Sequence, residues 1–138
     1  MKNIRLVLDT NIWVFAFSEA DLPSCTKLLE YVAIAKISVY IPRTIIREVQ
    51  NNLRPILFKE FILFVHKTAH IEEDNIVPFE LGMKYEAMGL KPADAFIGSF
   101  TEWVGAEVLV SENRHFLTRQ PHLPFKVLTA DKCLKFLK

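Results

Sequence analysis

The sequence predicts an α/β layered domain around a parallel sheet. Three observations lead there. Short apolar runs such as Leu6-Val7-Leu8 and Val108-Leu109-Val110 end abruptly at polar residues, as strands covered on both faces do. These runs alternate along the chain with longer stretches of helical periodicity. The 138 residues are 51% hydrophobic with a mean hydropathy of +0.19, enough apolar content for one real core.

The first strand is Ile4 to Leu8, and Asp9-Thr10-Asn11 follows it directly. In open parallel sheets ligands bind beyond the carboxyl ends of the strands, so Asp9 stands at a functional edge. It is also a good helix cap, as are Thr10 and Asn11. A helix over Asn11 to Phe17 comes next, then a loop at Glu19 to Pro23. Pro23 opens a second helix that carries Leu28, Leu29 and Val32 and stops near Lys36. The β-branched and aromatic run Ile37 to Ile41 predicts the second strand. Pro42 closes it and opens a helix whose apolar stripe is Ile45, Ile46, Val49 and Leu53, with Glu48 on its flank.

The helix from Pro55 is apolar around much of its circumference, which fits either a helix sandwiched in the core or a dimer or partner surface. Ala69 to Asp74 reads as an edge strand or loop, and Pro78 to Met88 as a helix stopped by Gly89. Pro92 opens a helix with a buried face of Ala93, Phe96, Ile97, Phe100 and Val104. Its small residues Ala95, Gly98 and Ser99 permit close packing on a sheet. Glu107 to Val110 is a strand ending at Ser111-Glu112-Asn113, Phe125 to Leu128 is the last strand, and Thr129 caps a final helix. The sheet should therefore have four to five strands within a single domain, residues 1–138.

Seventeen Lys and Arg against sixteen Asp and Glu give a net charge of +1, which argues against non-specific coating of nucleic acid. Cys25 and Cys133 have no metal spacing and read as core residues in a reducing compartment. Met1-Lys2-Asn3 leads straight into the first strand, so a signal peptide is not expected. The longest apolar runs are far short of the ~20 residues of a membrane helix. The expected location is the cytoplasm.

Four acidic or amide positions fall at element boundaries: Asp9, Glu48, Asp94, and the turn Ser111-Glu112-Asn113. Each has an ordinary structural reading. Asp94 suits a helix N-terminus, and Glu48 suits a solvated flank. Jointly, strand ends on one sheet edge bring the acids together, where they repel unless a cation neutralises them. Hard oxygen ligands suit Mg²⁺ or Mn²⁺.

In order and spacing, Leu8-Asp9-Thr10-Asn11, Ile46-Arg47-Glu48-Val49, Ala93-Asp94-Ala95-Phe96-Ile97 and Val110-Ser111-Glu112-Asn113-Arg114-His115-Phe116 resemble the PIN-domain family. The resemblance covers nearly the whole chain. It implies a three-layer α/β/α fold and metal-dependent endoribonuclease activity with Mg²⁺ or Mn²⁺. Many stand-alone members are VapC-like toxins paired with an antitoxin, and many are homodimers.

By the same resemblance Asp9, Glu48 and Asp94 are the metal ligands, and Asn113 stands where the family often has a fourth acid. Glu112 is the alternative fourth acid, and Thr10, Asn11 and Ser111 orient the site. Arg43, Arg47, Lys91, Arg114 and Arg119 are basic candidates for the RNA backbone, with Arg47 and Arg114 preferred. His115 has no partner His at metal spacing.

Asn113 leaves open a second reading, a PIN-like scaffold that binds RNA or a protein without cutting it. A haloacid-dehalogenase-like phosphatase would need an acid at position 11, where Asn stands. A P-loop or dinucleotide site would need glycines after the first strand, and the four glycines lie at 82, 89, 98 and 105.

Overall fold

The computed structural model describes residues 3–18, 22–113, 116 and 123–138. Its five strands are β1 (Arg5–Leu8), β2 (Ser38–Pro42), β3 (Ala69–Glu72), β4 (Val108–Val110) and β5 (Lys126–Leu128). All pair in parallel, in the order β3-β2-β1-β4-β5. The central strand is β1, whose Leu6, Val7 and Leu8 are fully buried, as an unbroken apolar run requires. From β1 the chain builds outward through β2 and β3, then returns to place β4 on the other side of β1. The carboxyl ends of β1 and β4 therefore flank the point where the winding reverses, which is where α/β sheets open a crevice. Segment 69–74 resolves into the edge strand β3 followed by a 3₁₀ turn at Asp74–Ile76.

Seven α-helices are described: α1 (Thr10–Phe17), α2 (Pro23–Ala35), α3 (Arg43–Asn52), α4 (Pro55–Thr68), α5 (Phe79–Ala87), α6 (Pro92–Trp103) and α7 (Ala130–Leu137). One group packs together, with α1 against α2, α3 and α4, and α2 against α7. The other is the pair of α5 and α6, with α6 also meeting β4. Sheet and two helical groups make the three layers. Among the described residues no helix is long and apolar enough to cross a membrane.

Local chemistry explains the element ends. Lys36 stops α2 in a left-handed conformation at φ 54°, and its backbone N–H donates to Val32 O. Thr129 caps α7, its hydroxyl accepting from Lys132 N at 3.2 Å. The indole of Trp13 is buried under α4. Its Nε1 donates to Leu8 O at 3.2 Å, and its ring meets Phe61 edge-on at 5.3 Å. Cys25 and Cys133 are buried and free, as core residues, and burial pushes both thiols up to about 12.

One sequence expectation about helices needs correcting, and one choice that the sequence leaves open is narrowed. The first concerns α6. Ile97 and Phe100 are buried as expected, but Ala93 is exposed and Phe96 only half-buried. The buried set instead extends over Ala95, Gly98, Ser99 and Thr101, because α6 is covered from two sides, by the sheet and by α5. Its Gly98 meets the ring of Tyr85 on α5, where close sheet packing was expected. Second, α4 is not sandwiched: Phe61 and Val65 are buried, while Ile56 and Leu63 are 67% and 55% exposed.

The Gly98 contact yields a stability prediction. A methyl at Gly98 would lie 2.7 Å from Tyr85 Cδ2, inside van der Waals contact with a fully buried ring. Gly98→Ala should therefore destabilise the fold by about 1–3 kcal/mol through overpacking, despite the better helix propensity of Ala. Denaturant unfolding measures this directly. Unchanged or higher stability would show that Tyr85 moves aside at no cost.

Candidate active site

Asp9 is the first residue past β1. Its N–H still donates to Val110 O at 2.9 Å, so the sheet holds its backbone in place. Its extended conformation makes it the N-cap of α1, and Oδ1 accepts from Thr10 N at 2.8 Å. The other oxygen, Oδ2, accepts from the hydroxyl of Ser111 at 2.9 Å, which joins the ends of β1 and β4. Ser111 is fully buried and its Oγ in turn accepts from Asn113 N at 3.0 Å. One hydroxyl thus orients the acid and shapes the turn that brings Asn113 forward. The expected cap uses Oδ1 of Asp9, while the link to β4 uses Oδ2.

Around Asp9 opens a cleft of about 660 Å³. Asp9, Glu48, Asp94, Asn113, Thr10 and Asn11 all line it, facing an apolar wall that includes Val14, Phe15, Phe96 and Ile97. Glu48 arrives from α3, where Thr10 Oγ1 donates to its Oε1 at 3.1 Å. Asp94 arrives from the first turn of α6, whose N-cap Lys91 gives no side-chain cap. Asn11 Oδ1 is buried and has no hydrogen-bond partner among the described residues. Three acids line the cleft with no Lys, Arg or His among the described lining residues.

This arrangement raises the pKa of Asp9 above its ordinary carboxylate value. Burial is the largest cause, and the Asp94 charge adds to it. The hydrogen bonds from Ser111 and Thr10 oppose the shift without cancelling it.

Other residues named from the sequence are placed elsewhere. Glu112 Oε2 accepts from Ala130 N at 2.9 Å, so this acid sits at the N-terminus of α7 and is not among the cleft-lining residues. Arg47 Nη2 is 2.7 Å from Asp74 Oδ2, and Arg43 Nε is 3.0 Å from Glu73 Oε1, so both cations are held by acids after β3. Lys91 is exposed at the start of α6. Arg114, His115 and Arg119 lie outside the described residues. The sequence reading missed Thr44, which also lines the cleft one turn before Glu48. Its place in the first turn of the helix after β2 was the signal available for it.

The donor set fits a hard divalent cation. It consists of carboxylates, an amide and a hydroxyl, with an unneutralised acid at its base. Among the described residues, no group of three or more His, Cys, Asp or Glu side chains is arranged to hold an ion directly. The better fit is thus a hydrated ion held by one or two carboxylates, the usual mode for Mg²⁺.

A test of the buried charge needs no substrate. A raised Asp9 pKa means that its contribution to stability is fully present below the unfolded carboxylate value and is lost as pH rises through the folded one. In metal-free buffer near neutrality, Asp9→Asn should therefore be at least as stable as the native chain. Added Mg²⁺ should raise the melting temperature of the native chain only, with about 1.4 kcal/mol gained at tenfold excess over the dissociation constant. A marked loss of stability in Asp9→Asn without metal would count against an unneutralised acid.

No family model matches the sequence, and no curated protein matches it. Solved structures do. One chain of VapBC2 from Rickettsia felis, bound to a DNA fragment from its promoter, aligns with a TM-score of 0.65 and 21% identity. That alignment covers 91% of this chain and 98% of that one. A chain of a toxin–antitoxin complex from Klebsiella pneumoniae aligns with a TM-score of 0.66 and 19% identity, over 91% of this chain and 97% of that one. At such identities the likeness is one of fold: with the parallel sheet between two helical layers, the chain has a three-layer α/β/α fold, consistent with the PIN-like fold expected from the sequence.

Proposed function

We propose that this protein is a Mg²⁺- or Mn²⁺-dependent endoribonuclease and the toxin component of a toxin–antitoxin pair, working in the cytoplasm. The observation that carries the reading is the convergence of Asp9, Glu48 and Asp94 on one cleft without a described basic lining residue. Likeness to chains from toxin–antitoxin complexes supports the pairing with an antitoxin. The exposed Ile34 on α2, with Ile56 and Leu63 on α4, offers apolar surface for such a partner, and the exposed Phe79 and Met83 on α5 offer surface for a homodimer.

In this reading Asp9, Glu48 and Asp94 are the ion's ligands, one or two of them directly and the rest through its water, with Asn113 as a neutral, direct or water-mediated contact. A divalent ion bound there would make water a stronger nucleophile and neutralise charge gathering on the phosphate. The protein's own part is positioning. Ser111 and the Thr10 amide fix the two oxygens of Asp9. The Thr10 hydroxyl engages Oε1 of Glu48 and leaves Oε2 for the ion or its water. Phe15 and Phe96 give the cleft an apolar side against which an unpaired base can stack. Of the two preferred candidates for phosphate contacts, Arg47 is paired with Asp74, which favours Arg114.

A second reading is a non-cutting PIN-like scaffold that binds RNA or a protein. Asn113 in the place of an acid, and the lack of a ready-made ion cage among the described residues, favour it.

Incubation with a mixed pool of single-stranded and structured RNA separates the two. The nuclease reading expects cleavage that needs Mg²⁺ or Mn²⁺, stops with EDTA, and falls by about a hundredfold or more in Asp9→Asn and Asp94→Asn. Cleavage that survives either substitution would sink the assigned site. Folded protein that neither cuts nor binds the ion would establish the scaffold.

A further inference from the structure

Helix α3 carries Glu48 but starts without a cap of its own. Its N-cap is Pro42, which makes no side-chain hydrogen bond to the first turn. The missing acceptor comes from 30 residues away. Asp74, in the 3₁₀ turn after β3, accepts Thr44 N on Oδ1 at 3.0 Å. Its Oδ2 accepts the Thr44 hydroxyl and, at 2.7 Å, Arg47 Nη2. Arg47 closes the triangle by donating to Thr44 Oγ1 at 3.2 Å.

We propose that Asp74 is a positioning residue of the cleft: it caps α3 from outside the helix and so sets the place of Glu48. Thr44 and Glu48 are four residues apart, one turn above the other on the same face, and both line the cleft. Ile45 and Val49 bury the neighbouring face of α3, about 100° round the helix from Thr44 and Glu48, and leave the side of the first turn that carries Thr44 only half-buried. Asp74 pins that turn. The same carboxylate ties up the Arg47 guanidinium, which keeps a mobile cation away from the neighbouring acid and leaves Glu48 available to an ion. Burial by itself would raise the pKa of Asp74, but the hydrogen bonds from Thr44 and the charge of Arg47 outweigh it and hold the group below its usual range. The cap therefore stays ionised at neutral pH.

The importance of Glu48 as an ion ligand rests on the proposed nuclease reading, so the test needs one measurement with metal and one without. The full-length chain is compared with Asp74→Ala, Asp74→Asn and Glu107→Gln. Glu107 is the control, because it bonds Arg5 N at 2.7 Å at the opposite end of the sheet. Mn²⁺ affinity is read by calorimetry. The Thr10 γ-methyl resonance, which reports the hydroxyl bonded to Glu48, is read by NMR in metal-free buffer.

Asp74→Ala should weaken Mn²⁺ binding by about tenfold, the scale seen when an outer partner of a ligand is lost, and should shift the Thr10 resonance. Asp74→Asn keeps an acceptor for the Thr44 amide, so it should recover most of the affinity and move Thr10 less. Glu107→Gln should change neither. Native affinity together with a native Thr10 signal in both Asp74 variants would overturn the proposal. Absence of Mn²⁺ binding in the native chain would sink the nuclease reading, and the Thr10 signal alone would then decide the role of Asp74.

Discussion

A carboxylate buried at the end of the central strand constrains everything around it. Asp9 must be there for α1 to be capped and for β1 and β4 to be joined through Ser111. Yet a buried acid beside a second acid resists ionisation, and its pKa is raised accordingly. Among the described residues two protein donors reach it, and both are neutral: a backbone amide and a hydroxyl. Neutral donors orient a charge without cancelling it. The described lining offers Asp9 no cation, and this unmet demand links the fold to the proposed chemistry.

Two basic residues of α3 illustrate the same principle from the other side. Arg43 and Arg47 emerge from the helix that carries Glu48, and from sequence they look ready for a phosphate backbone. The acidic pair Glu73 and Asp74 takes both. At the surface such pairs contribute little stability individually. Here their consequence is spatial: positive charge is retained on the outer side of α3 while negative charge collects in the cleft. A net charge of +1 over the chain conceals that separation.

How much of this was legible in sequence depended on how local the determining contact was. Strands β1 and β4 stood out because fully covered strands leave unbroken apolar runs, and Asp9 could be placed at the end of β1 from its run alone, whereas β3, with only half-buried and exposed residues, reads in sequence as an edge strand or loop. The two faces of α6 were harder. A single apolar stripe is what periodicity detects, but α6 is covered by both the sheet and α5, and its small residues Gly98 and Ala95 do the packing that large ones would announce. The direction of Glu112 was not readable at all. It follows from Ala130 N, 18 residues on, at a helix start that three-dimensional packing brings alongside. Asp74 escaped notice for the same reason, since nothing local marks an acid in a turn as the cap of a helix whose Thr44 lies 30 residues earlier.

The central claim is that the cleft acids are completed by a divalent cation. The most direct measurement is anomalous diffraction from a crystal of the protein soaked in Mn²⁺. A peak is expected in the cleft between Asp9 and Asp94, within about 2.0–2.6 Å of a carboxylate oxygen or one water removed from it. A cleft without a peak at saturating Mn²⁺, or a peak on acids elsewhere in the chain, would contradict it.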